Sequence, residues 1–142
     1  MTKEAARPER PYSANYLLGL MLVMGFSMLF NALAFVLYPY YGEETGESTI
    51  YIVAFVAISV YELVLTALMY IGSGIGYRLT KMSMICIVTL MGTGLLLGGN
   101  LGFDTWIQVL LAIAVLILMH LPSVSAYYNN LNLGTLPQFL PE

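Results

Sequence analysis

The run Thr49–Ile71, TIYIVAFVAISVYELVLTALMYI, decides how this chain is built. Its apolar residues follow one another without the alternation of a half-buried strand, and its length matches the roughly 20 helical residues that cross about 30 Å of hydrocarbon. It holds one acid, Glu62, and no base. Three more runs share the pattern: Tyr16–Tyr38, with no acid or base at all, Leu79–Gly98, with Lys81 near its start, and 105–126, with His120 near its end. Four strands cannot close a barrel, so all four runs read as helices.

Composition agrees with this reading. Of the 142 residues 59% are hydrophobic and 9% charged, with a mean hydropathy of +0.81, whereas a soluble domain has roughly a quarter of its residues charged. The chain lacks the polar surface to coat a water-soluble globule. The expected fold class is therefore all-α, an integral membrane four-helix bundle of two antiparallel hairpins over residues 16–128. A short segment, 1–15, precedes it, and a polar Asn- and Pro-rich tail, 129–142, follows it as coil. Pro122 is expected to finish or kink the fourth helix, because it has no N–H to give. The triplet Ala32-Leu33-Ala34 resembles a leader-peptide cleavage site, but the apolar run continues past it through Leu37, so the first run reads as a retained span.

Cations set the expected orientation. Lys3, Arg7 and Arg10 precede the first run and Arg78 and Lys81 fall at the second connection, while Glu43, Glu44, Glu47 and Asp104 occupy the first and third. The positive-inside rule then puts both termini in the cytoplasm of a multi-pass cell-membrane protein. Tyr12, Tyr16, Tyr70, Tyr77, Tyr127 and Tyr128 would line the inner boundary, and Tyr51 and Trp106 the outer one, as amphipathic rings do.

Several function classes fall away. A net charge of −3 without a basic stripe argues against nucleic acid as a partner. One cysteine leaves no intrachain disulfide or dithiol redox pair. No Ser/His/acid set, paired carboxylate or phosphate-cradling glycine loop is present, so the chain is read as no enzyme, with no cofactor and no metal. The stripe Met21, Met24, Met28 offers soft thioethers of the kind copper(I) takes, yet without Met-x-x-Met or Cys partners near an aqueous mouth it reads as flexible core filler. His120 lacks the companions that a haem or zinc site requires.

Glu62 is the residue most able to carry chemistry. At 1.5 Å per residue it lies roughly 20 Å along its helix from Thr49, in a medium that disfavours a bare carboxylate. Ser59, Glu62 and Thr66 share one helical stripe. Asn31, on the first run, needs a partner for its amide, and Glu62 is a candidate. On the third run, Gly94-x-x-x-Gly98 and the stripe Cys86, Thr89, Thr93 have the small and weakly polar character of helix contacts, while Gly72 and Gly76 are expected in a turn.

Four short spans with one membrane glutamate resemble the small multidrug-resistance transporters. The acid stands in the second span here instead of the first and lacks the aromatic motif around it, so no function is carried over. Two expectations follow from the residues. The first is a non-catalytic membrane protein, surrounded by the lipid bilayer, that associates as a homo-oligomer or with a larger membrane complex. The alternative is a small dimeric transporter or channel with Glu62 as its intramembrane proton or cation site.

Overall fold

The structure, a computed structural model, describes residues 9–37, 45–98 and 103–133. These residues form five helices and no strand: α1 (Tyr12–Leu37), α2 (Thr45–Tyr70), α3 (Gly74–Leu96), α4 (Phe103–Met119) and α5 (Pro122–Leu133). Within α1, α2 and α3, the segments Tyr12–Ala34, Thr49–Tyr70 and Gly74–Leu96 are long and apolar enough to cross a membrane. Glu43, Glu44, Lys3, Arg7 and the tail from residue 134 lie outside the described residues.

The helices start about a turn earlier than the apolar runs, because amphipathic and capping residues extend a helix beyond its hydrophobic stretch. The α2–α3 turn shows how. Gly72, at φ 83°, donates to the Met69 carbonyl at 3.0 Å, and Ser73 donates to Leu68 at 2.9 Å. This pair of bonds is a Schellman closure, which needs a residue at positive φ and so favours glycine. Ser73 at once caps α3, its Oγ accepting from the Gly76 N–H at 3.2 Å. Gly76 is thus in the first turn of α3 and not in a loop. A Cβ there would stand 2.7 Å from Leu68 Cβ, so the missing side chain lets the two helices close on each other.

The fourth run differs most from expectation. Instead of one helix over 105–126, α4 stops at Met119 and α5 leaves at an angle of 69°. Pro122 cannot donate to Leu118 and drives Leu121 out of helical geometry. It then occupies the first position of α5, where its missing N–H costs nothing. Nor does a coil begin at 129, since α5 runs through Asn129 to Leu133.

Among the described residues, α1 packs on α2 and α4, α3 packs on α2 and α4, and α5 crosses their ends to touch α1, α3 and α4. The core is built from Leu17, Met21 and Met24 of α1, Leu65 and Met69 of α2, Tyr77 and Met84 of α3, Ala112, Val115 and Met119 of α4, and Val124 and Tyr128 of α5. The methionine stripe of α1 is therefore core, where unbranched thioethers fill irregular gaps.

Candidate functional site: a buried polar cluster

Glu62 is 2% exposed, and neither carboxylate oxygen has a hydrogen-bond partner. Ser59, Thr66 and Met69 are buried with it on one face of α2, as their spacing requires. That face meets α1 at Gly25, where an added Cβ would stand 3.7 Å from Glu62 Cβ and 2.9 Å from Leu63 Cδ2. The close approach lets Ser59 Oγ donate to the Gly25 carbonyl at 2.7 Å. Thr66 Oγ1 donates to the Glu62 carbonyl at 2.8 Å, one turn back along its own helix.

Asn31 is not the partner of Glu62. It lies six residues beyond Gly25 along α1, roughly 9 Å up the helix axis, half-buried, and Glu62 accepts no bond from it. The amide that reaches this level belongs to Gln108 of α4, which the sequence reading passed over. Gln108 is 3% exposed and donates through Nε2 to Ser27 Oγ, and Ser27 in turn donates to the Met24 carbonyl at 2.8 Å. The hydroxyl proton of Ser27 is committed to Met24, so its oxygen must accept and the Gln108 group facing it must be the NH2. That orientation leaves Gln108 Oε1 buried and unpartnered. Its spacing with Ala112, Val115 and Met119 (i, i+4, i+7, i+11) was the available signal. Thr80 of α3 is a second missed residue, fully buried with Oγ1 unpartnered.

Contacts between the helices fix the relative heights of these groups. Tyr61 Oη lies 2.6 Å from Ser83 Oγ, and Leu68 meets Gly76, so α2 and α3 run in opposite directions with Thr80 level with Val64. At 1.5 Å per residue, Thr80 is less than one turn from Glu62 in height. Gln108 is tied to Ser27, two residues from the Gly25 that Glu62 touches. Glu62, Thr80 and Gln108 thus each bury a polar side chain within the helices, on α2, α3 and α4.

The donor count is lopsided. Ser27, Ser59 and Thr66 each spend their proton on a backbone carbonyl. Left without a partner are both Glu62 oxygens, Gln108 Oε1 and the Thr80 hydroxyl. A buried polar atom left without a partner is costly.

The other sequence candidates lie elsewhere. Cys86, Thr89 and Thr93 form an exposed stripe on α3, with Thr93 Oγ1 donating to the Thr89 carbonyl at 2.7 Å. A Cβ at Gly94 would meet nothing within 4 Å, and Gly98 ends the described segment at φ 80°. Within the chain, then, close helix approach is made by Gly25 and Gly76, while the Gly94–Gly98 face points outward. His120 is exposed at the bend, its Nδ1 2.7 Å from the Leu116 carbonyl, beside a groove of about 400 Å³ lined by Ile113, Leu116, Ile117 and Leu121. Among the described residues no three His, Cys, Asp or Glu side chains come together as a metal group.

At the end of the molecule where α1 begins, polar side chains close the helix termini. Arg10 donates to the Tyr70 carbonyl and lies over the Tyr70 ring at 4.6 Å, a cation placed at the negative end of α2. Ser13 Oγ and Ser123 Oγ are 2.9 Å apart, joining α1 to α5. Tyr77 and Tyr128, expected on the boundary, are instead buried inside this end, 5% and 0% exposed. Each hydroxyl donates to a carbonyl at the end of a neighbouring helix there.

No family of proteins, no characterised protein and no solved structure matches this chain.

Proposed function

We propose that the chain is a multi-pass protein of the cell membrane, with α1, α2, α3 and the bent α4–α5 unit as four passes, and that it acts as a small transporter or channel with Glu62 as its proton or cation site. Both termini are assigned to the cytoplasm. Supporting that side, Arg10, Tyr70 and Ser123 meet at one end, and Arg78 lies next to the Tyr77 that bonds to Met119 at the same end. The observation that carries the function is the Glu62 carboxylate, enclosed by its own chain with both oxygens unpartnered. Ionisable groups inside membrane helices are costly and mark ion and proton pathways. The test is ion and proton flux in proteoliposomes, comparing the native chain with Glu62→Gln. Flux that the substitution abolishes, with helicity unchanged, supports the reading; flux equal in both, or none above protein-free vesicles, defeats it.

A second reading, association through α3, is favoured by a different observation. Only 11% of the membrane-length window of α3 is buried, against 39% for α1 and 28% for α2. The outward face holds Cys86, Thr89 and Thr93, small residues of the type at which membrane helices meet. This reading makes the chain a non-catalytic subunit, either of a homo-oligomer or of a larger membrane complex. Cross-linking through Cys86 in native membranes, with and without Thr89→Leu, tests it.

A further inference from the structure

We infer that the ion taken at Glu62 is a proton and not a metal cation. The inference rests on the reading of Glu62 as an ion site and names the ligand of that site.

The supply of ligands decides between the two. Hard metal cations take about six oxygens or more, whereas a proton is held by one. Glu62 brings both of its oxygens, enclosed and unpartnered on a residue 2% exposed. Few others can join them. Glu62 and the Gly25 beside it lie inside α2 and α1, unbroken helices whose carbonyls are bonded along the chain. The Gly25 and Glu62 carbonyls also accept from Ser59 and Thr66. Those two hydroxyls stand about 10 Å apart along α2, too far to ligate one ion together. Gln108 is turned elsewhere, since Ser27, to which it donates, is about 160° round α1 from Gly25. Thr80 would add a single hydroxyl. A metal ion is left well short of a full shell.

Charge points the same way. Apart from Tyr12 and Tyr16 at its exposed start, α1 holds no titratable group. On α3, Arg78 and Lys81 lie about 160° and 140° round the helix from Gly76, which faces α2. Tyr61 and Tyr77 direct their hydroxyls to Ser83 and Met119. Among the described residues no base therefore offsets a carboxylate at this position, and a buried charge without a counter-charge is expensive. A proton removes that charge and requires no further ligand.

Dicyclohexylcarbodiimide, a membrane-soluble reagent, reads the proton directly in the full-length protein reconstituted in proteoliposomes. The acid gives its proton to a carbodiimide nitrogen as its oxygen bonds to the central carbon, and the adduct rearranges to a stable N-acylurea with nothing leaving. An adduct mapped to Glu62 by peptide mass spectrometry is expected, unchanged by sodium, lithium or calcium in large excess and slower to form as the pH is raised. Glu62→Gln should abolish it, and Glu62→Asp, which keeps the carboxyl, should retain it. In the same vesicles a pH-sensitive dye and uptake of radioactive sodium or calcium follow transport. Proton flux is expected to fall in Glu62→Gln to the level of protein-free vesicles, and to persist in the native chain when N-methylglucamine replaces sodium. Protection of Glu62 by any of the three cations, or sodium or calcium uptake that Glu62→Gln abolishes, overturns this inference and leaves the proposed function standing. Flux of no ion above that of protein-free vesicles defeats the function itself.

Discussion

Tyr128 stacks on Tyr77 with ring centroids 4.9 Å apart and planes 14° apart, and each hydroxyl closes the end of a helix to which neither ring belongs. Tyr77 Oη donates to the Met119 carbonyl of α4 at 2.7 Å, and Tyr128 Oη donates to the Met69 carbonyl of α2 at 3.0 Å. Tyr127 meets Tyr128 edge-on at 5.0 Å. Two rings thus lock α2, α3, α4 and α5 at one end, satisfying carbonyls that helix ends leave open.

Removing only the oxygens tests this lock. Tyr128→Phe and Tyr77→Phe keep the stack and leave a buried carbonyl short of one donor, at a cost of about 1 kcal/mol each. Tyr128→Ala also opens a cavity and is expected to cost about 3–5 kcal/mol. Unfolding in mixed micelles, followed by circular dichroism, gives the order Tyr128→Ala well below Tyr128→Phe; equal losses would show that the ring contributes nothing.

Three glycines are expected to respond differently to the same added methyl. At Gly76 the new Cβ meets Leu68 Cβ at 2.7 Å and α2 backbone atoms at 3.2 and 3.3 Å, none of which can rotate away. Gly76→Ala should therefore cost about 1–3 kcal/mol. At Gly25 the contact is the flexible end of Leu63, so Gly25→Ala should be milder. At Gly94 the methyl meets nothing, and Gly94→Ala should be neutral or gain up to about 1 kcal/mol from helix propensity. Melting temperatures of the three variants check the ranking.

Ser59→Ala removes the bond from α2 to the Gly25 carbonyl but leaves the helices in contact. Interhelical hydrogen bonds in membrane proteins average about 0.6 kcal/mol, so a loss near that size is expected. A loss above about 2 kcal/mol would mean that Ser59 also supports Glu62.

Cys86 is exposed on α3, about 18 Å along the helix from Gly74. In vesicles it should resist both a permeant and a charged maleimide, because hydrocarbon disfavours the reactive thiolate, and become open to both after denaturation. Rapid labelling by the charged reagent would place α3 against water and not lipid.

Much of the cluster was legible before the fold. Ser59, Glu62 and Thr66 lie on one buried face because 100° per residue leaves no other arrangement for that spacing. Gln108 and Thr80 were harder to read. Each stands near the start of an apolar run, where a polar residue is ordinarily taken for a cap or a boundary, and its inward direction depends on neighbours distant in the chain. Asn31 illustrates the converse: a buried-looking amide on the right helix, but too far along it to meet the acid.

Order along the chain determined by itself that the elements are helices, that the runs from Tyr16, Thr49 and Leu79 are long and apolar enough to cross a membrane, and that Glu62 lies deep within one of them, since these depend on local composition and a fixed rise per residue. Which small residues bring helices together, Gly25 and Gly76 and not Gly94, was decided in three dimensions, because close approach depends on the atoms of the facing helix. The 69° bend that converts the last run into two helices also belongs to the tertiary structure. Pro122 permits a break wherever it occurs, but the burial of Val124 and Tyr128 across the helix ends sets its direction.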